Sequence, residues 1–331
     1  MAKDYHELPR LEDSLSYLYL EQCRIEQDDL AIAAWDLTGV THIPIASLNC
    51  LLLGPGTVVT HAAMRAIGEN GCNVVWVGER GVRMYASATG ETRSSRHLLR
   101  QAMLATRESL RLRVVARMYR MRFAGEKLPS TLTLQQIRGR EGARVRDAYA
   151  AAAREHNIPW DRRQYNRDNW DDQSDINKAL SAATACLYGV CHAAIVAMGY
   201  SPGLGFIHTG KQLSFVYDIA DLYRIELAVP TAFASVAEHV EERLSGGTAP
   251  KERLQLEQRT RYAMRQAFVR EKLLQRIPKD IANCLNIPVN LSELDPYADD
   301  PARPSELWTP ASGEQTPIGD DEEPSQEAIS P

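Results

Sequence analysis

Cysteine is scarce and scattered in this 331-residue sequence. Cys23, Cys50, Cys72, Cys186, Cys191 and Cys284 form no C-x-x-C pair. That excludes a disulfide-stapled scaffold and a thiolate zinc site of ordinary spacing; it reads as reduced, mostly buried thiols in a cytoplasmic protein. The opening residues contain no apolar stretch of signal-peptide type, so no secretory leader is expected. Charge is missing from one place: between Lys178 and Lys211 there is no Asp, Glu, Lys or Arg. The gap holds Ser181, Thr184 and His192 and breaks at Ser201-Pro202-Gly203, so it reads as a buried helix followed by a glycine-rich loop, not as a membrane span. The G-x-x-x-x-G-K-[ST] spacing of a phosphate-binding loop is absent, and no internal repeat is evident.

What is present is an uneven distribution of charge. The net charge of −5 conceals 6 basic and 12 acidic residues over 1–92, 31 and 20 over 93–290, and 1 and 11 over 291–331. The middle segment therefore carries +11 and the tail −10, so a polyanionic partner is open to the middle of the chain.

Residues 1–90 read as strands at Leu15–Ile25, Leu30–Trp35, Val40–Ile45, Leu48–Leu53, Asn73–Val77 and Val82–Ala86. Asp36-Leu37-Thr38-Gly39 is a turn, and a short helix covers Thr60–Gly68. From Ser94 the period becomes helical, with Leu98, Leu99, Met103, Leu110, Val114, Val115 and Met118 on one face and nine arginines, Arg93 to Arg122, around the rest. Further helices are expected at Leu132–Glu155, Asp172–Met198, Ser214–Ile225 and Lys251–Ile277. The fold class is therefore α+β: a small N-terminal strand domain (1–90), a sheet or a sandwich, then a larger all-α domain (91–290), and an acidic, proline-rich tail (291–331) that reads as disordered when free. The domain boundary is expected near Ala86–Ser94.

Three weak constellations stand out. In Arg138-Gly139-Arg140-Glu141-Gly142-Ala143-Arg144 one carboxylate sits in a basic helical segment. Ion pairs of Glu141 with Arg138 and Arg144 are the plain alternative to a functional role, and two glycines weaken the helix there. Gly203 to Lys211 places His208 in a glycine-rich loop. In Ser214-Phe215-Val216-Tyr217-Asp218-Ile219-Ala220-Asp221, Ser214 reads as an N-cap, and Asp218 and Asp221 share a face at a spacing where like charges repel. Pairing of Asp221 with Arg224 is the plain reading; a cation between the two carboxylates is the other. Together the three offer carboxylates and one imidazole, a hard set suited to magnesium or manganese, and point to phosphodiester chemistry. A fourth set is aromatic. Trp160, Tyr165 and Trp170 are interleaved with Arg162, Arg163 and Arg167, a composition that stacks on unpaired bases or packs a core; Tyr188 and Tyr217 follow.

The runs SAATACLYGV, GLGFIHTGK, LSFVYDIAD and RGREGARVR, with LTGVTHIPIAS and WVGERGVRMYAS, closely resemble the CRISPR-associated adaptation integrases, in particular the branch associated with type I-E systems. The likeness covers most of 8–280. It implies that 1–90 is a β-sandwich domain used for dimerisation, that 91–290 is a helical catalytic and DNA-binding domain, and that a homodimer assembles around a small ferredoxin-like CRISPR-associated companion subunit. The implied activity inserts short captured DNA fragments as spacers into a CRISPR array by metal-dependent 3′-hydroxyl transesterification. By motif, Glu141, His208 and Asp221 would bind Mg or Mn, and Asp218 would assist at the same catalytic site. Arg138, Lys211 and Tyr217 resemble residues that recognise the motif-bearing end of double-stranded DNA. Tyr165 and Trp170 would contact its single-stranded overhangs, and Arg83 and Arg224 its backbone; Arg163 and Tyr188 join this set as nucleic-acid contacts. The CRISPR repeat DNA would be the target. One departure stands out: where relatives place a duplex-bracing Tyr, this chain has Gln22, with Arg24 two residues on, and Tyr19 or Tyr5 as substitutes. A DNA-binding scaffold without chemistry and a general metal-dependent nuclease on branched DNA are the alternatives.

Overall fold

The computed structural model describes residues 17–28, 31–45, 48, 50–78, 84–88, 95–123, 132–163, 174–245 and 255–289. Its first part is strand-rich: β1 (Tyr17–Leu20), β2 (Arg24–Asp28), β3 (Ala31–Asp36), β4 (Gly39–Ile43), β5 (Cys50–Leu53), β6 (Val58–Val59), helix α1 (His61–Glu69), β7 (Asn73–Val77) and β8 (Met84–Ala88). The strands form two four-stranded sheets, β1-β5-β7-β8 and β4-β3-β2-β6. The expected run Leu15–Ile25 is two strands. Gln22 sits between them with φ 53, and its N–H donates to the Pro55 carbonyl at 2.9 Å. At the β3–β4 turn Asp36 Oδ1 accepts from Thr38 N and Gly39 N at 2.7 and 3.1 Å, and Gly39 takes φ 139. A glycine suits that backbone because it has no Cβ to clash. The two-residue strand β6 was not expected.

Helices follow: α2 (Arg96–Thr106), α3 (Glu108–Arg122), α4 (Leu134–Glu155), α5 (Asp175–Ala197), α6 (Ser214–Ala220), a π-helix (Arg224–Ala228), α7 (Val229–Ser245), α8 (Leu256–Arg270) and α9 (Leu273–Leu285). A strand-rich region followed by a helical one is the expected α+β class. Strand gives way to helix between Ala88 and Arg96; residues 89–94, within the expected boundary, lie outside the described residues, as does the tail 290–331. The helical stretch from Ser94 is interrupted at Arg107, whose backbone is extended, and the expected Lys251–Ile277 is split at Lys272, at φ 47. Helix α4 starts with a capping box: Gln136 N donates to Thr133 Oγ1 and Thr133 N to Gln136 Oε1, which satisfies two otherwise orphaned donors.

Helix α5 has the length and composition to cross a membrane. Leu180, Ala183, Leu187, Cys191 and Ala194 are instead buried among the other helices, so it is the central core helix, as expected from the charge gap. Strand β5 shows why every one of its residues is buried. Leu51 and Leu53 join Ile25, Ile32, Ile43 and α1 in the core shared by the two sheets, while Cys50 and Leu52 face Ala193 and Ala197 of α5. Alternate side chains thus serve two different cores. Asn73 completes the join, donating from Nδ2 to the carbonyls of Val196 and Ala197 at the C-terminal end of α5. All six cysteines are buried.

Candidate functional site

Arg122, the last residue of α3, lies at the centre of the acidic site. Its side chain is 3% exposed. Nη1 donates to Glu141 Oε1 of α4 at 2.7 Å. Nη2 lies 3.3 Å from Asp221 Oδ2, just past the end of α6, and bonds the Asp218 carbonyl. One guanidinium therefore joins three helical segments, with the Glu141 and Asp221 side chains 14% and 12% exposed. The alternative pairing of Glu141 with Arg138 and Arg144 is not what forms. Arg138 is exposed, and Arg144 lies over the Phe123 ring at 5.1 Å. Asp221 does pair with Arg224, Nη2 to Oδ1 at 2.6 Å.

Asp218 has a different task. It is fully buried, and its carboxylate gathers the loop before α6. Oδ2 accepts from Phe206 N and Ile207 N at 2.6 and 3.0 Å; Oδ1 accepts from His208 N at 2.9 Å and contacts His208 Nδ1 at 2.7 Å. The cation shared by two carboxylates therefore lies between Glu141 and Asp221, not between Asp218 and Asp221. Asp218 engaging Nδ1 leaves Nε2 of His208 as the nitrogen available for coordination, the arrangement in which a carboxylate orients a ligating imidazole. That hydrogen bond raises the His208 pKa, with partial burial opposing it.

The loop is held from outside as well. Arg111 donates from Nε and Nη2 to the Phe206 carbonyl at 2.9 and 2.8 Å. Buried Gln101 donates to the Ser201 and Leu204 carbonyls and accepts from Ser201 N. A Cβ on Gly205 would come 2.3 Å from the His208 carbonyl and 2.8 Å from the Ser214 backbone, so only glycine fits. Ser214 is not the N-cap: Leu213 occupies that position, and Ser214 Oγ donates to the Lys211 carbonyl and accepts from Lys211 N. Arg122, Arg111 and Gln101 were missed as site residues. For Arg122 a signal existed, because Val115, Met118 and Arg122 fall at helical spacing on one face and two of them are core residues.

The expected nucleic-acid contacts separate into three groups. Lys211 and Arg138 are exposed. Tyr217 and Tyr188 are half-buried, with ring centroids 5.0 Å apart, and the Tyr188 hydroxyl accepts from Arg224 Nη2 at 3.0 Å. Burial raises the Tyr188 pKa, with Arg224 opposing; burial also works against the charge of Arg224, but Asp221, Tyr188 and Tyr149 together outweigh this and raise its pKa. Arg163 instead binds its own scaffold, through Asn177 O, Asn177 Oδ1 and Ser181 Oγ at 2.8 to 2.9 Å. Trp160 packs against Tyr149 and Phe233 in the helical core. Arg83, Tyr165 and Trp170 lie outside the described residues. Gln22 is exposed, packed over Gly56, and Tyr19 donates its hydroxyl to Glu21.

Among the described residues no three His, Cys, Asp or Glu side chains stand close enough to hold a metal ion as they are. In kind they fit a hard divalent cation: Glu141 and Asp221 already converge on one buried positive charge, and His208 is tied to the same cluster through Asp218.

A family model described as CRISPR associated protein Cas1 matches residues 116–270. A CRISPR-associated endonuclease Cas1 of Thermus thermophilus is 48% identical over 310 residues, 93% of this chain and 90% of that one. One of Escherichia coli is 48% identical over 224 residues, 67% and 73% of the two chains. A crystal structure described as a TtCas1–DNA complex superposes with TM-score 0.75 at 48% identity, covering 85% of this chain and all of that one.

Proposed function

The chain belongs to the CRISPR-associated Cas1 family, and from that premise we propose that it is a metal-dependent DNA integrase and endonuclease of CRISPR adaptation. The 3′ hydroxyl of a captured fragment attacks a phosphodiester at the edge of a repeat. A new P–O bond forms, the P–O3′ bond of the target strand breaks, and the attacker's proton ends on the departing 3′ oxygen. What supports this reading is the convergence of Glu141 and Asp221 on one buried cation, with His208 oriented by Asp218 alongside.

Glu141, Asp221 and His208 would hold Mg or Mn, which when bound supplies a Lewis acid for the phosphate and the attacking oxygen. The chain's own residues position and screen. Asp218, Arg111 and Gln101 keep the His208 loop in one shape, so the imidazole is presented without reorganisation. Exposed Lys211 and Arg138 supply positive charge for phosphates, and Tyr217 and Tyr188 a tilted aromatic pair beside the acidic site. Arg83, Tyr165 and Trp170 remain nucleic-acid contacts on the strength of the motif. The substrate is double-stranded DNA with single-stranded overhangs, handled by a homodimer with a small ferredoxin-like companion subunit in the cytoplasm.

The test is strand integration in vitro with manganese, with and without the companion subunit. Glu141→Ala and Asp221→Ala are expected to abolish joining. Joining at the wild-type rate by either variant refutes the site. Salt-sensitive DNA binding by the wild-type protein with neither joining nor cleavage would make it a binding scaffold.

A further inference from the structure

We propose that Arg122 is the resident counter-ion of the acidic site: it occupies by charge the place a divalent cation takes over, so the cation and the Arg122 contacts to Glu141 and Asp221 compete. The inference rests on the metal-site reading above and adds a residue that controls it. Three observations lead there. Arg122 is buried to 3% exposure, so it is not a surface cation available to DNA phosphates. Its two Nη groups are divided between the two carboxylates expected to ligate metal, at 2.7 and 3.3 Å. Its Nε has no hydrogen-bond partner among the described residues, so the guanidinium is held chiefly through these two carboxylates, the Asp218 carbonyl and the Tyr119 ring face at 5.3 Å.

The physical argument is one of charge. Two carboxylates only 14% and 12% exposed favour a compensating cation beside them, and removing one partner of such a set leaves a largely buried charge unpaired. Without divalent ion, Arg122 supplies the compensation. Its presence also opposes ion binding twice, through like-charge repulsion and by occupying the carboxylate oxygens. The same geometry explains why the expected ligands do not stand as an open ligand shell: Glu141 and Asp221 are turned onto Arg122. Arg224, 30% exposed and paired with Asp221 Oδ1, is a second and looser restraint on the same carboxylate. The arrangement keeps the carboxylates near one another before the ion arrives, at the cost of affinity.

A purely structural arginine and a competing one make opposite predictions for metal binding. The measurement is Mn2+ titration of the full-length protein by calorimetry, with melting temperature in EDTA and in saturating Mn2+, for the wild type, Arg122→Gln and Arg122→Lys. Arg122→Gln is expected to melt lower than wild type in EDTA, to recover most of the difference in Mn2+, and to bind Mn2+ about tenfold more tightly. Arg122→Lys keeps a charge but loses the two-pronged fork, so its affinity should fall between the two; it also serves if the Gln variant does not fold. Equal or weaker Mn2+ binding by the folded Arg122 variants overturns the proposal. A melting-temperature loss that Mn2+ leaves untouched overturns it too. Glu141→Gln separates the two readings. Wild type binding Mn2+ and Glu141→Gln failing to, with Arg122 variants no tighter than wild type, sinks the counter-ion and leaves the metal site standing. No saturable binding by wild type or any variant sinks both.

Discussion

Replacing Asp218 by Asn isolates the role of one charge in the His208 loop. The carboxylate receives four contacts, two on each oxygen, all from residues 206–208, and it is fully buried. An Asn side chain of the same shape keeps one oxygen and turns its NH2 toward the other pair of donors. Two buried donors then face a donor, at about 1–3 kcal/mol each, and the surviving bonds lose their ionic partner. The expected cost is roughly 4 kcal/mol, and more for Asp218→Ala, which leaves three backbone N–H groups and the His208 ring without that partner. For a chain of this size 4 kcal/mol lowers the melting temperature by about 6 °C. The decisive assay is amide hydrogen exchange, because the loss should concentrate at Phe206, Ile207 and His208 while the interior of α5 keeps its protection. A cost below about 1 kcal/mol with wild-type protection at those three amides would refute the account of Asp218 as the loop's organiser.

Gly205→Ala is expected to displace the His208 carbonyl, because its Cβ would lie 2.3 Å from that oxygen. Joining activity should fall at least about tenfold with the secondary structure intact by circular dichroism. Burial pushes the His192 pKa down to about 4. The unfolded chain then takes up a proton near pH 6.5 that the folded chain refuses until about 4, so His192 removes stability as pH falls through that window. Discounted for partial exposure, the loss is about 1–2 kcal/mol, and urea denaturation of His192→Leu at pH 7 and 4.5 should lack it. Arg163→Ala should lower stability yet leave the salt dependence of DNA binding unchanged, since its donors serve Asn177 and Ser181. Lys211→Ala should reduce the slope of log affinity against log salt by about 0.9, the value of one lost phosphate contact.

Most elements were legible because their signals were local and periodic. Strands β3, β5 and β7 are short apolar runs between turn residues, and α5 is an unbroken uncharged stretch. Helix α7 was not foreseen. It follows α6 through Leu222 and Tyr223 and the π-helix, where Val229 N–H reaches the Arg224 carbonyl, and it carries Pro230 in its first turn. A proline reads as a stop in sequence, but the first turn of a helix does not need its N–H. The two breaks at Arg107 and Lys272 were invisible for the opposite reason: the periodicity continues across a single residue whose backbone alone departs. At the candidate site, Glu141, His208 and Asp221 were singled out by residue type and by motif. Their mutual relation was not, because it depends on an arginine from a fourth segment. Arg122 reads as one of nine arginines on a basic helical stretch, and its helical spacing from the core residues Val115 and Met118 is the local mark that sets it apart.

The sharing of α5 has a consequence for how this molecule can come apart. Its Ala193 and Ala197 complete the packing of β5 and β7, and Asn73 takes up the carbonyls at its C-terminal end, while its other faces form the centre of the helical core. Neither half is a removable module. A chain cut after β8 would leave the helical part with a bare alanine stripe and two carbonyls lacking the Asn73 donor. The strand-rich part would lose the cover over Cys50, Leu52, Val75 and Val77. Melting should accordingly give one calorimetric peak for 17–289, and grafting a foreign strand domain onto these helices would require rewriting the last two turns of α5 along with it.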